Sequence, residues 1–390
     1  MFPAVPSTIV PPLVITLRWF LGRMGKKIKT RIIHTGSEPK KHFGSISDPI
    51  YRNSTLVFES YKRFIEAKKN RFILPYYGRI STYSTRSFEK VITSLYKSRH
   101  TILTSSGLSA ITITLKSLLK CNDQILVTEN CYEPVFNFSK LELSRFGIKT
   151  TFYPNNFKKL ENLISKETKI LYVESPSSLN YEVEDLLKIT KIAKKNKIIT
   201  VIDNTWSTFL GCNPLDYNFD IVIESATKYL SGHSDNFLGI ITTKSDNLWK
   251  KIKKTAVLNG DFVSSESCFN AMKGLKTLEV RMSKHSDNAK KIFDYLNSKN
   301  SVEQIIYLPD PKNKNHKLWK KYHKKSNGLI TFSLKKKRKI EYFLDKLSLF
   351  KIGFSWGGYE SLILPLNNLK PSKKLATNSN YWFRIHIGLE

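Results

Sequence analysis

Between residues 100 and 243 short apolar runs alternate with stretches of helical period, and few architectures accommodate that alternation. The runs read as strands at 101–104, 124–128, 150–153, 169–174, 198–203, 220–224 and 237–243, with helices at 108–119, 133–146 and 182–196. Near-continuous Val, Ile and Leu in a strand signal burial on both faces. The pattern therefore predicts an α/β fold: a mostly parallel sheet covered by helices, with ligands gathering at the carboxyl ends of its strands. After residue 260 the pattern changes. One long helical stretch at 264–296, with Gly274 as a candidate break, precedes strands at 328–334 and 382–389 and a helix near 339–347. These predict a smaller α+β domain. The expected divisions are an extension at 1–23, a loop-rich N-terminal arm for subunit contacts at 24–80, a ligand-binding domain at 81–275 and a C-terminal domain at 276–390. The apolar part of the extension is short, holds Pro11 and Pro12 and is interrupted by Arg18, so a start at Met24 is expected in place of a membrane anchor.

Two strand ends carry the first chemical signal. The run 198–203 finishes on Asp203, and 220–224 leads into Ser225-Ala226-Thr227-Lys228. An acid and a lysine on one sheet edge, with hydroxyls just before the lysine, is what pyridoxal phosphate requires. The amine forms the Schiff base, the carboxylate pairs with the pyridinium nitrogen, and Ser225 and Thr227 donate to the phosphate. A solvated surface lysine is the plain alternative. Ser105-Ser106-Gly107-Leu108 ends a strand and opens a helix, so its free N–H groups can hold an anion, or it is an ordinary capped helix start. Tyr132 follows another strand on the same edge, where its ring can stack on a heterocycle or simply close the core. Tyr77-Gly78-Arg79 ends the arm and can complete a phosphate site of a neighbouring chain or form a surface turn. Arg384, a charge within a strand-like segment, fits a substrate carboxylate or a structural salt bridge. His233 and His386 read as hydrogen-bonded structural histidines.

The formal net charge of +32 first suggests nucleic acid, but Arg supplies only 13 of the 64 basic residues. Phosphate and base readers favour the planar arginine fork, and the lysines lie scattered on predicted helix faces. No specific nucleic-acid partner is expected, nor a membrane. The four cysteines form no C-x-x-C pair, which points to free thiols in a reducing, cytoplasmic compartment and to no metal site.

Together the lysine segment, Tyr77-Gly78-Arg79, the segment Ser355-Trp356-Gly357-Gly358-Tyr359-Glu360-Ser361-Leu362 and the terminal Arg384-Ile385-His386-Ile387-Gly388-Leu389-Glu390 resemble the Cys/Met-metabolism family of pyridoxal-phosphate enzymes. Within it they look most like the bacterial cystathionine β-lyases. The resemblance covers nearly the whole chain from His34. It implies an aspartate-aminotransferase-like fold and a homo-oligomer, a dimer of dimers. It implies Lys228 as Schiff-base lysine and proton shuttle, Asp203 against the pyridinium and Tyr132 on the ring. Gly107, Leu108, Ser225 and Thr227 are then phosphate ligands, with Tyr77 and Arg79 reaching in from a neighbour. Arg384, Ser355 and Trp356 receive the substrate carboxylate. The implied activity is α,β-elimination of L-cystathionine to homocysteine, pyruvate and ammonia, a step in methionine biosynthesis. Phe354 stands before Ser355 where several γ-acting relatives carry a glutamate, and Ile80-Ser81-Thr82 replaces their Asn-Pro-Thr; both favour the β-lyase. Ser178 stands where many relatives have an asparagine. A cysteine desulfhydrase, a cystathionine γ-lyase or γ-synthase, and an inactive remnant remain as alternatives. Relatives run about one helix past the Ile-Gly-Leu-Glu motif, so a shortened C-terminal domain is expected.

Overall fold

The computed structural model describes residues 27–36, 38–155, 157–335, 340–366 and 381–390. The predicted extension at 1–23, Met24 and the start of the helix expected near 339–347 lie outside these residues. The seven expected runs all form strands: β1 His100–Thr104, β2 Gln124–Thr128, β3 Lys149–Tyr153, β4 Thr168–Glu174, β5 Ile199–Asp203, β6 Ile221–Ser225 and β7 Gly239–Thr243. They assemble in the order β1-β7-β6-β5-β4-β2-β3. Only β7 is reversed, pairing antiparallel with both β1 and β6. Buried apolar side chains cover both faces, with Val173, Ile202 and Val222 in one core and Tyr172, Val201 and Ile223 in the other. The near-continuous hydrophobicity of the strands follows from that double burial.

Helices α1 Ile28–His34, α2 Tyr61–Lys69 and α3 Tyr83–Tyr96 precede the sheet. Helix α4, Gly107–Leu118, begins at a capping serine: Ser106 accepts from the Ser109 N–H at 3.0 Å. Helix α5, Leu186–Lys195, is capped by Asp185, and α6 spans Asp246–Leu258. Helix α7, Ser265–Asn297, runs unbroken for 33 residues. Gly274 does not interrupt it, because the glycine serves packing: a Cβ there would stand 2.0 Å from the Ser231 carbonyl oxygen. The predicted helix at 133–146 is real but contains a π-turn at Phe138–Glu142.

The second sheet is built from β8 Val302–Ile306, β9 Leu329–Leu334, β10 Lys351–Ile352, β11 Leu362–Pro365 and β12 Tyr381–His386, in the order β10-β11-β12-β9-β8. The C-terminal half of α7 packs on it through Ala289, Ile292, Phe293 and Leu296. The N-terminal half packs on the large core through Cys268, Ala271, Leu275, Leu278 and Met282. Among the described residues, no helix is long and apolar enough to cross a membrane and no cluster of metal-ligating side chains occurs.

Candidate active site

At the carboxyl edge of the large sheet, where β12 and the segment before β11 face it, lies a cavity of about 430 Å³. Its wall brings together Gly107, Leu108, Tyr132, Asp203, Ser225, Thr227, Lys228, Ser355, Trp356 and Arg384. Of the residues expected above to hold cofactor or substrate, Tyr77 and Arg79 lie elsewhere. Tyr77 is 41% exposed. Arg79 donates from Nη1 to the Val257 carbonyl at 2.9 Å, on the surface by the end of α6.

Lys228 follows β6 within a short turn, its N–H bonded to the Ser225 carbonyl. Its amine donates to the Ser355 hydroxyl at 2.6 Å and lies 5.7 Å from the Trp356 ring. Burial and then the Arg384 charge bring its pKa down to about 8, while Asp203 opposes the shift. The chain thus offers an amine far more available as a free base than a solvated lysine. The solvated-lysine reading of this residue does not apply.

Asp203 is buried at the end of β5. Its Oδ1 accepts from the Thr205 N–H at 2.9 Å and the Thr205 hydroxyl at 2.5 Å. That hydroxyl in turn accepts from the Ser225 N–H at 2.8 Å, so one threonine locks the ends of β5 and β6 together. Burial raises the Asp203 pKa, and the Thr205 bonds and Lys228 pull it back. A buried carboxylate of this kind is stabilised by a cation presented to it from the cavity.

The opposite end of the cavity suits an anion. Ser106 caps α4 and its carbonyl takes the Ala110 N–H, which leaves the N–H groups of Gly107 and Leu108 without helical partners. A Cβ on Gly107 would lie 2.6 Å from the Ser225 side chain, so only glycine lets the helix start meet the lysine segment. The Thr227 hydroxyl accepts from the Leu238 N–H at 3.0 Å, which orients it.

Arg384 is buried, and its Nη2 donates to the Ser355 carbonyl at a long 3.4 Å. No carboxylate pairs with it among the described residues, so the structural salt bridge is not what holds it. A buried guanidinium that lines a cavity and has no carboxylate partner among the described residues can receive a carboxylate.

Sequence reasoning missed Glu174. It ends β4 as Asp203 ends β5, paired with it in register, and it lines the same cavity. Its Oε2 accepts the Tyr132 N–H at 2.6 Å and so fixes the segment carrying that ring. Burial and then the neighbouring Asp203 push its pKa well up. The strand-end argument applied to Asp203 would have found it. Glu224 was missed as well. It points to the other side of β6, where the Tyr96 hydroxyl donates to its Oε2 and Asn204 Nδ2 donates to that hydroxyl at 3.1 Å. Burial raises the Glu224 pKa to about 8.

The cavity thus offers a nucleophilic amine, a buried acid, an anion cradle and a carboxylate receptor, and these donor types match pyridoxal phosphate and an amino acid in one space. Comparison with known proteins agrees. The chain is 31% identical to the cystathionine β-lyase of Escherichia coli, over 94% of this chain and 95% of that protein. It is 30% identical to an L-alanine/L-glutamate racemase of Wolbachia pipientis, over 93% and 94% of the two chains. A solved structure of cystathionine γ-lyase from Lactobacillus plantarum, complexed with L-serine, superposes with a TM-score of 0.86 at 28% identity, covering 93% of this chain and 95% of that one. The family model described as Cys/Met metabolism PLP-dependent enzyme matches residues 29–390. This chain belongs to the Cys/Met-metabolism family of pyridoxal-phosphate-dependent enzymes, in the fold that the strand–helix alternation predicts.

Proposed function

We propose that the protein is a carbon–sulfur lyase that cleaves L-cystathionine by α,β-elimination, giving homocysteine, pyruvate and ammonia. The observation that carries this reading is the Lys228 amine, with a pKa lowered to about 8, sharing one cavity with Asp203 and the Arg384 guanidinium. When bound, pyridoxal phosphate supplies an aldehyde for an amine and a sink for electrons. Gly107, Leu108, Ser225 and Thr227 hold its phosphate, Asp203 its pyridine nitrogen, and Tyr132 covers its ring. Arg384 takes the substrate carboxylate, with Ser355 and Trp356 shaping that end. Lys228 removes the Cα proton as general base, and the thiolate departs from Cβ. Water completes the release of pyruvate and ammonia.

The preference for β-cleavage rests on Phe354, which lines the cavity mouth with no charge to hold a distal ammonium. Product analysis tests it: cystathionine should yield pyruvate, and 2-oxobutyrate as the main product would overturn the β assignment. A second reading, racemisation, draws support from the Wolbachia relative, since it needs the same Cα proton transfer without loss of the Cβ group. Conversion of L-alanine to D-alanine faster than cystathionine cleavage would favour it.

A homodimer, and a dimer of such dimers, completes the proposal. The arm exposes Phe43, Val57, Tyr61 and Tyr77, and in the proposed dimer Tyr77 and Arg79 reach into a neighbour's cavity. Three buried free cysteines, Cys131, Cys212 and Cys268, fit a cytoplasmic enzyme. The proposed division near residue 275 falls inside α7, which serves both cores.

A further inference from the structure

Ser355 and Gly357 both adopt left-handed backbone conformations, with φ of +84° and +90°. For glycine this costs little, and it is needed, because a Cβ there would lie 2.7 Å from the Tyr229 nitrogen. For serine it is strained and persists only where partners hold it. Two of those partners are the reacting groups: the Lys228 amine bonds the Ser355 hydroxyl, and Arg384 reaches its carbonyl. Both change partners when cofactor and substrate bind. The turn therefore needs an anchor outside the chemistry. His386 is placed to be that anchor. Its Nε2 accepts the Gly357 N–H at 3.1 Å, and its Nδ1 lies 3.0 Å from the Glu360 carbonyl. One ring thus bonds both Gly357 and Glu360, the two ends of the stretch that directly follows Ser355 and Trp356. His386 also sits two residues after Arg384 on β12, so both side chains leave the same face of the strand.

We propose that His386 is a positioning residue that holds the Ser355–Gly357 turn against the Lys228 amine. The role fixes its state. Nε2 must accept, so the hydrogen is on Nδ1 and donates to the Glu360 carbonyl; an imidazolium has no acceptor to offer Gly357. The groups that face it are Tyr229 and Lys228 from the lysine segment, His285 from α7, Arg384 on its own strand and Glu360. Burial and the His285, Arg384 and Lys228 charges hold its pKa well below the ordinary histidine range, so the ring stays neutral.

The inference rests on Lys228 being the reactive amine, and its test reads that amine directly. Full-length protein stripped of cofactor is reductively methylated across a pH series, and modification of the Lys228 peptide is followed by mass spectrometry. The native midpoint should fall near 8. His386→Gln places an amide near Nε2 and keeps the Gly357 bond, so the midpoint should hold. His386→Asn reaches only as far as Nδ1 and frees the turn, so water enters and the midpoint should climb toward the ordinary lysine range. Cofactor-loaded Asn variant should also lose about tenfold or more in kcat, with the Gln variant near native, the magnitude expected for a misplaced catalytic group. The two polar variants differ little in bulk, so comparing them separates anchoring from packing. Equal midpoints in the two variants, or a shift in Gln but not Asn, overturn the proposal. The midpoint needs no substrate, so it stands or falls separately from the lyase reading.

Discussion

The floor of the cavity and the arm that precedes it are built by opposite means. Asp203, Thr205, Ser225 and Lys228 stand at the ends of adjacent strands, tied by bonds of 2.5–2.9 Å through Thr205 and by the strand ladder beneath. Tyr77 and Arg79 lie outside the cavity, one exposed and the other resting on a backbone carbonyl. The floor is preorganised by a single chain, whereas the arm's contribution depends, under the proposed dimer, on a second copy. Loss of a floor residue should thus remove chemistry, and loss of an arm residue should remove retention of the cofactor.

Lys228→Ala is the severest test of the floor. It should lower kcat/KM by about 10⁴-fold or more and abolish the absorbance of lysine-bound cofactor. Near-native turnover would dismantle the assignment. Arg384→Ala should cost about 10²–10³-fold, chiefly in KM, and Arg384→Lys should recover little of it because one ammonium cannot replace the planar fork. Steady-state kinetics with cystathionine checks both. Arg79→Ala should weaken cofactor retention by about tenfold, the loss of one or two charge-assisted bonds. Refolded mixtures of Arg79→Ala and Lys228→Ala chains should regain activity, since a hybrid then owns one intact site; mixtures that stay inactive would erase the contrast between floor and arm.

The smallest expected effect belongs to Glu224, beneath the floor. Its folded pKa of about 8 lies above its unfolded value, so the unfolded chain releases the proton first. The contribution is complete below the unfolded pKa and fades as pH rises toward 8. Glu224→Gln should flatten that decline, raising the melting temperature at pH 8 relative to wild type by about 2–4 °C, as read by thermal melts at pH 5 and pH 8.

The large sheet was legible in the sequence because each strand is buried on both faces and carries an uninterrupted apolar run. Asp203, Lys228 and Arg384 were legible as candidates because each is a charge at, just after or within an apolar strand-like run, even though Lys228 and Arg384 each also had a plain structural alternative. The same logic extends to Glu174, whose strand is equally apolar, yet pattern reading stopped at the pair that chemistry already suggested. The small sheet was harder. β8 is half exposed, β10 has two residues and β11 four, too short to establish a period. Gly274 misled because a glycine within a helix usually signals a break, whereas here its missing Cβ admits a carbonyl from another segment. The anchoring by His386 is a long-range pairing between residues 29 apart, and no local pattern encodes it.

Helix α7 carries a thermodynamic consequence. Its first half belongs to the large core and its second half to the small one, with no loop between them. Neither core can lose its share of that helix without fraying the other's, so their melting is coupled. Heating should therefore produce one calorimetric transition in place of two, and a helix-breaking proline in the middle of α7 should split it.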